Sequence, residues 1–278
     1  MAMRSPDYDL VLPLGGKCSC AQVLQKRGLR LASYPFDWLY GSNLRGRTDL
    51  VMKGFCGWLE KGDLRERPPV PWNDKAIYEN TVTGLGYSHD FLLGQSLDEQ
   101  YPDVKAKYDR RIARLLQNLS AAKRTLLFWI QVPAYGRIPE GDLDYCLQAF
   151  RRRYPENQVD LLAFDYAAGV PVENRETECR DGITVIRFDY RNYEHPQGEY
   201  EVRQEILASL LKGIRVADSR SREERRRYAQ ACRLREYGKY GAESWLGYVV
   251  LRSQYKLFCH LRKSLLRHGV KLEGGRHD

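Results

Sequence analysis

Apolar runs of strand length, separated by an amphipathic segment, constrain the fold of this chain most. Residues 125–132, 159–164 and 182–188 each have the length and apolar composition of a buried strand. Between the first two, residues 140–154 predict a helix. It has acidic residues near its N-terminus and three arginines near its C-terminus, which is the charge distribution that the helix dipole favours. Strand, helix and strand in this order form a βαβ unit. We therefore expect an α/β fold with a central, largely parallel sheet and flanking helices.

The amino-terminal part has the same character. Residues 9–14 are an apolar run that ends at Gly15 and Gly16, which indicates a strand followed by a tight turn. A helix is predicted over residues 19–26, with Gly28 as its C-cap glycine. Cys18 would then stand at the start of a helix.

The remaining segments are weaker or simpler patterns. Residues 31–38 should be extended, because Pro35 disfavours helical geometry at Tyr34, and residues 81–91 can form an extended segment that carries His89. Helices are predicted over residues 43–60, 104–119 and 202–211.

The positive charge lies at the carboxyl-terminal end. From Arg215 onward there are 16 Lys and Arg against 7 Asp and Glu, whereas the first 214 residues balance at 29 each. We therefore expect an α/β domain over residues 1–214 and a basic helical extension over 215–278, with helices at 220–235 and 243–268. The second helix combines apolar and basic residues, so it can dock on the protein's own body or on a second subunit in a homodimer, which is the commoner fate. The alternative is peripheral contact with an anionic membrane, such as a bacterial inner membrane. Nucleic acid is not an expected partner, since no known motif accompanies the arginines.

Cysteine usage and the amino terminus predict a cytoplasmic protein. The seven cysteines form an odd set without a CxxC pair, which argues against a disulfide framework or a zinc ribbon. No apolar stretch reaches the roughly 20 residues of a membrane span, and residues 1–13 lack a signal-peptide core. Neither GxGxxG nor GxxxxGK[ST] is present, and no cofactor is expected.

The strongest chemical signal is the sequence LGGKC, which ends at Cys18. A cysteine at a helix N-terminus is exposed to the positive end of the dipole, and Lys17 adds charge, so the thiolate should be favoured. A buried structural cysteine is an equally good interpretation of these residues alone. Cys20 would point roughly 200° away from Cys18 on the helix and is assigned to the core.

A thiol nucleophile needs a base, and His89 is the best histidine for that role because aromatic and apolar residues flank it. A hydrogen-bonded core histidine is its structural alternative. Asp90, Asp37 and Asp165 are the acids that could orient the imidazole, although neighbours on a strand such as His89 and Asp90 point to opposite faces. A metal site formed by Cys18, Cys20 and His89 is a minor alternative, since C-x-C is an uncommon zinc spacing.

Several short motifs together resemble a family of bacterial papain-like cysteine peptidases, which are domains of unknown function often associated with cell-surface polysaccharide loci. They are LGGKC, SYPFDWL, GYSHDF, and YDRRIARLL followed by TLLFWIQ. The resemblance runs from about Leu10 to Phe188. Two features depart from the pattern: Lys17 replaces a small polar residue, and no glutamine lies just upstream of Cys18.

The resemblance implies a papain-like arrangement with the cysteine on a helix. Cys18 matches the family cysteine, His89 and Asp90 match its His-Asp pair, and Asp37 matches the aspartate of its PFDW motif. The leading hypothesis is therefore a thiol-dependent hydrolase or acyl transferase acting on a peptide, an amide or an acyl group. The alternative is a non-enzymatic or glycan-binding accessory protein of cell-surface polysaccharide biosynthesis, in which Cys18 only packs.

Overall fold

The computed structural model describes residues 7–69, 75–195, 198, 200–218 and 220–238, together with residues 246, 249, 250, 253, 254 and 257. Contacts divide the chain into two units, residues 1–218 and 219–278. The strands are β1 (Asp7–Tyr8), β2 (Leu10–Gly15), β3 (Leu39–Gly41), β4 (Leu64–Arg67), β5 (Lys75–Asn80), β6 (Leu85–Leu92), β7 (Arg124–Ile130), β8 (Gln158–Tyr166), β9 (Glu176–Arg180), β10 (Ile183–Phe188) and β11 (Arg215–Val216). The helices are α1 (Cys18–Lys26), α2 (Leu44–Met52), α3 (Leu97–Ala121), α4 (Asp142–Arg153), α5 (Gln204–Leu210) and α6 (Arg222–Gly238).

The first unit contains a five-stranded sheet with the order β2-β7-β8-β10-β9. The pairs β2–β7, β7–β8 and β8–β10 are parallel, and only β9 joins antiparallel. The expected largely parallel sheet is therefore present, with β2 at one edge. Short strands β1 and β11 pair in parallel as a separate two-stranded sheet.

A second sheet is inserted between β2 and β7 in the sequence. It is antiparallel, with the order β3-β6-β5-β4, so β3 forms one of its edges. The chain leaves the first sheet after β2, builds this second sheet, and returns to β7 through the long helix α3.

Helices cover both faces of the parallel sheet. Because alternate residues of a strand point to opposite faces, Val11 and Phe128 pack with α1 and α5, whereas Leu12 and Leu127 pack with α2, α3 and α4. The core on the α2, α3 and α4 side of the sheet also contains aromatic side chains of the antiparallel sheet. The candidate site lies at the carboxyl ends of β2 and β7.

Some element boundaries differ from the sequence predictions. Residues 35–38 form a 3-10 helix instead of continuing the extended segment, because Asp37 accepts a hydrogen bond from the Tyr34 backbone N–H, 2.9 Å away, and closes a capping box. The helix predicted over 43–60 ends at Met52, since Gly54, Phe55 and Gly57 all adopt positive φ. Helix α3 was predicted to begin at residue 104 but begins at Leu97. Ser96 and Glu99 form a capping box at this earlier start.

The second unit contains α6, which agrees with the helix predicted over 220–235. The helix predicted over 243–268 lies mostly outside the described residues. Its six described positions are helical, and Leu246, Val249, Val250 and Leu257 are exposed there. No helix in the described part of the chain is both long and apolar enough to cross a membrane.

Candidate functional site

The glycine pair ahead of Cys18 forms a turn that other residues would not tolerate. Gly15 and Gly16 have φ values of 109° and 98°, which side chains rarely adopt. A Cβ on Gly16 would lie 2.2 Å from the carbonyl oxygen of Ile130, on the neighbouring strand β7. The turn thus lies close to the end of β7. Helix α1 begins directly after it, with Cys18 as its first residue.

Arg47 forms hydrogen bonds to the backbone of this turn. Its side chain is fully buried, and its guanidinium donates to the carbonyl oxygens of Leu14 (2.8 Å), Gly16 (3.5 Å), Leu39 (3.3 Å) and Gly41 (2.7 Å). Two of these acceptors belong to the end of β2 and two to β3, which are edge strands of different sheets. One side chain therefore joins the two sheets directly beside the site.

The Arg47 guanidinium is bound by carbonyl oxygens and aromatic faces. It lies 5.2 Å from the ring centre of Phe36 and 5.8 Å from that of Trp129, so both rings offer cation–π contacts. Burial lowers the pKa of Arg47 to about 10, which leaves the group charged at neutral pH.

Cys18 lies half-buried at the start of α1. The Lys17 ammonium forms an ion pair with Glu201 and donates to the carbonyl oxygen of Tyr200, 3.4 Å away. Burial raises the pKa of the Cys18 thiol, and it outweighs the lowering effect of Lys17; Glu201 raises the pKa further. The expected thiolate is thus not the resting form, because the helix terminus and Lys17 do not offset desolvation.

Cys20 belongs to the core, as predicted. It is 1% exposed, its thiol lies 3.5 Å from the carbonyl oxygen of Phe128, and burial raises its pKa to about 12. In the described residues there is no group of three His, Cys, Asp or Glu side chains arranged to hold a metal ion.

His89 lies on β6 and is exposed. Its ring packs edge-to-face on Trp38, with 6.0 Å between ring centres, and Arg30 lies 5.8 Å from the centre of the Trp38 ring. Arg30 follows the carboxyl-terminal end of α1, whereas Cys18 begins that helix. The pairing of the Cys18 thiol with the His89 imidazole remains a prediction.

The two aspartates expected near His89 both form ion pairs with other residues. Asp90 is buried and binds Lys107 and the Tyr108 hydroxyl, 2.7 Å away, on α3. Asp37 is buried in an ion pair with Arg30, in addition to its capping bond. Each carboxylate therefore has its own cationic partner, and a role for either of them in orienting His89 stays a prediction.

Asp165, the third acid, lies at the carboxyl end of β8. It accepts hydrogen bonds from the Ile138 backbone (2.9 Å) and from the side chains of Arg137 and Arg187 (both 3.3 Å). It therefore anchors the segment that follows β7.

A cleft of about 510 Å³ opens where the carboxyl end of β7 meets the antiparallel sheet. Ligands of open α/β proteins commonly bind outside the carboxyl ends of the parallel strands. Its lining combines aromatic, amide and charged side chains: Tyr40, Asn43, Glu79, Trp129, Gln131, Tyr135 and Arg137.

Sequence reasoning missed Arg47, Glu201 and Gln131. A signal existed for Arg47, which shares one helix face with Leu44, Thr48 and Val51, all of them buried. An arginine on an apolar helix face indicates a buried cation with specific acceptors. Glu201 and Gln131 carried no comparable signal, because their roles depend on contacts with distant parts of the chain.

Comparison with known proteins supports the resemblance found in the sequence. Residues 9–140 match the family described as "Putative papain-like cysteine peptidase (DUF1796)". Over 130 residues the chain is 30% identical to an uncharacterized protein of Acanthamoeba polyphaga mimivirus, an alignment that covers 41% of this chain and 58% of the viral protein. The chain thus spans less than two thirds of that relative. No solved structure matches it.

Proposed function

We propose that the chain is a papain-like thiol hydrolase, or a related acyl transferase, with Cys18 as its nucleophile. The observation that carries the proposal is the position of Cys18. It is the first residue of α1, it follows a strand of the parallel sheet, and it keeps some solvent exposure although its neighbours Ser19 and Cys20 are buried. The family match over residues 9–140 includes this cysteine.

The chemistry follows from this position. The sulfur attacks the carbonyl carbon of an amide or ester, the bond to the leaving group breaks, and the thiol proton passes through a base to the leaving nitrogen or oxygen. Water, or an acceptor amine, then attacks the thioester and regenerates the thiol. The backbone N–H groups of Cys18 and Ser19, which face the sulfur, supply hydrogen bonds at this helix terminus.

Proton affinity favours a histidine over a carboxylate as the base. The proton affinity of an imidazole lies nearer to that of a thiolate than the proton affinity of a carboxylate does, so a histidine accepts the thiol proton at a smaller cost in free energy. This difference supports His89, the base of our proposal. The charge of Glu201 acts on the Cys18 thiol, but this carboxylate is already paired with Lys17.

The pH dependence of Cys18 alkylation tests its resting state. Because burial raises the pKa of the thiol, we expect iodoacetamide to label Cys18 only at alkaline pH, later than a cysteine in a peptide. Glu201→Gln removes a negative charge and should shift the profile to lower pH, whereas Lys17→Met should shift it higher. Labelling is followed by mass spectrometry of the Cys18 peptide.

The most informative comparison is between the pH profiles of Cys18 alkylation in the wild type and in Glu201→Gln. A thiol that reacts readily at neutral pH in the wild type, or a profile that neither variant moves, would show that burial and the Lys17–Glu201 pair do not control this group.

Trapping the covalent intermediate tests the function itself. Incubation with a panel of activated acyl esters should add one acyl mass at Cys18 in the wild type and none in Cys18→Ser. Because the thiol must lose its proton, His89→Ala should slow acylation about 100-fold or more, as loss of a general base does. Cys56→Ser, at an exposed cysteine, serves as the control and should acylate like the wild type.

Absence of acylation at Cys18 across the panel would reject the hydrolase, and normal acylation of His89→Ala would reject His89 as the base. The packing of His89 on Trp38 favours a second candidate, a non-catalytic or glycan-binding accessory protein. If the protein is of this second kind, we expect no acylation at Cys18 in the wild type, so Cys18→Ser and His89→Ala should behave like the wild type in this assay.

A further inference from the structure

The second unit exposes apolar side chains along one face of a helical segment. Leu246, Val249, Val250 and Leu257 have helical backbone geometry, and all four are exposed. With 3.6 residues per turn, these positions fall within about 100° of one another around the helix axis and span roughly 16 Å along it. They therefore lie side by side on one surface of the segment, and we call these four residues the apolar stripe.

The described residues of the first unit expose their large aliphatic side chains differently. Those that are exposed there are Val82, Leu92 and Leu93, which lie at or next to turns. Single exposed aliphatic residues are ordinary on a protein surface, whereas a contiguous apolar surface marks a place where another molecule binds. The apolar stripe is thus a candidate interaction surface.

The second unit also carries the whole excess of positive charge. Residues 219–278 contain 15 Lys and Arg against 6 Asp and Glu, an excess of nine positive charges, whereas the first 218 residues contain 30 of each. Helix α6 contributes a dense row of exposed arginines: Arg222, Arg225, Arg226, Arg227 and Arg233. The apolar stripe therefore belongs to a strongly basic unit, next in the sequence to a neutral one.

Charge and apolar exposure together restrict what can cover the apolar stripe. A second copy of the chain would bring its own nine excess positive charges to the interface, and like charges oppose such an association. The phosphates of a nucleic acid would attract the arginines but would give the leucine and valine side chains no apolar surroundings. A membrane with anionic lipids offers both, because its headgroups attract basic residues and its acyl chains accept apolar side chains.

We propose that residues 219–278 bind the surface of a membrane that contains anionic lipids. The apolar stripe enters the boundary between headgroups and acyl chains, and the arginines of α6 bind the lipid phosphates. Apolar insertion and electrostatic attraction both contribute to the binding of an interfacial helix, so attachment should require the two together. The proposal concerns the second unit and does not depend on any chemistry at Cys18.

Flotation of the 278-residue chain with lipid vesicles tests the proposal. One set of vesicles contains phosphatidylcholine alone, and the other contains about 30% phosphatidylglycerol in phosphatidylcholine as a source of negative charge. At low salt we expect the anionic vesicles to be bound at least about tenfold more tightly than the neutral ones. Raising the salt to about 0.5 M should weaken this binding about tenfold, because salt screens the attraction.

Replacement of two stripe residues by glutamine tests the apolar contribution at constant charge. Leu246→Gln combined with Leu257→Gln should weaken binding to the anionic vesicles about tenfold or more. The matched control is Val82→Gln combined with Leu93→Gln in the first unit. Its two residues are 71% and 52% exposed, close to the 67% and 59% of the stripe residues, and binding should not change.

Replacement of two arginines of α6 tests the electrostatic contribution. Arg226→Gln combined with Arg233→Gln should weaken binding to the anionic vesicles about tenfold or more, since each basic residue near the lipid surface contributes. Arg110→Gln combined with Arg152→Gln changes the net charge equally at exposed positions of α3 and α4 and should leave binding unchanged. A thermal melt of each variant confirms that it is folded.

The outcomes decide between the membrane and the other possible occupants of the stripe. Binding to anionic vesicles that both second-unit variants weaken, and that neither control weakens, supports the proposal. Equal flotation with neutral and anionic vesicles overturns it, and so does an equal loss in the variants and their controls. Absence of flotation also overturns it, and sedimentation velocity and titration with duplex DNA then show whether a second copy or a nucleic acid binds this unit.

Discussion

Replacing Arg47 by methionine should lower the free energy of unfolding by about 3 to 5 kcal/mol. Methionine fills much of the same volume but leaves the carbonyl oxygens of Leu14 and Gly41 without their short hydrogen bonds, and an unsatisfied buried acceptor costs about 1 to 3 kcal/mol. The longer bonds to Gly16 and Leu39 add to this loss. Urea denaturation of the 278-residue chain, followed by circular dichroism, gives the value.

Two further variants determine whether this loss reflects the carbonyl contacts. Arg110→Met makes the same substitution at an exposed position of α3 and should change stability by less than about 0.5 kcal/mol. Arg47→Lys keeps the charge but cannot present a planar fork to four acceptors, so it should recover only a small part of the loss. If lysine restored full stability, positive charge alone would suffice and the geometry of the guanidinium would be unimportant.

Replacing Gly16 by alanine should destabilise the protein by about 3 kcal/mol or more and should displace Cys18. The left-handed backbone conformation alone costs an alanine about 1 to 2 kcal/mol. In addition, the new Cβ would lie 2.2 Å from the Ile130 carbonyl oxygen, so β2 or β7 would have to shift. Thermal melting measures the first effect, and the alkylation rate of Cys18 measures the second.

Gly28→Ala is the matched control for this experiment. Gly28 also has a positive φ, of 68°, but a Cβ there would meet no atom within 4 Å. Its loss should be limited to the conformational cost of about 1 to 2 kcal/mol, with no change at Cys18. Equal losses in the two variants would mean that the contact between Gly16 and β7 contributes nothing.

The fold could be predicted from the sequence where local signals agree. The runs at 125–132 and 159–164 are buried strands, and the helix between them carries its charges where the dipole favours them. The antiparallel sheet was not predicted, because its pairs join residues such as Leu64 and Asn80 through a register that no local pattern specifies. The capping bond of Asp37 and the positive φ of Phe55 likewise depend on tertiary context.

The candidate site could be predicted only in part. The sequence LGGKC indicated a turn followed by a helix that begins near Cys18, and the structure has both. The ionisation of the thiol could not be predicted, because burial depends on how β7 and the segment around Glu201 pack over it. The partners of Asp37 and Asp90 also required the structure, since one lies in a neighbouring loop and the other on α3.

The insertion of the antiparallel sheet between β2 and β7 affects how the chain is synthesised. Leu10 pairs with Thr125, so β2 leaves the ribosome about 115 residues before its only neighbour in the parallel sheet, roughly 6 to 23 s earlier at the usual rates of elongation. During that interval all six residues of β2, which are buried in the native protein, lack their partner strand. The antiparallel sheet, whose strands follow one another closely, can form first. The nascent chain thus carries its most apolar strand unpaired until the parallel sheet can begin to assemble.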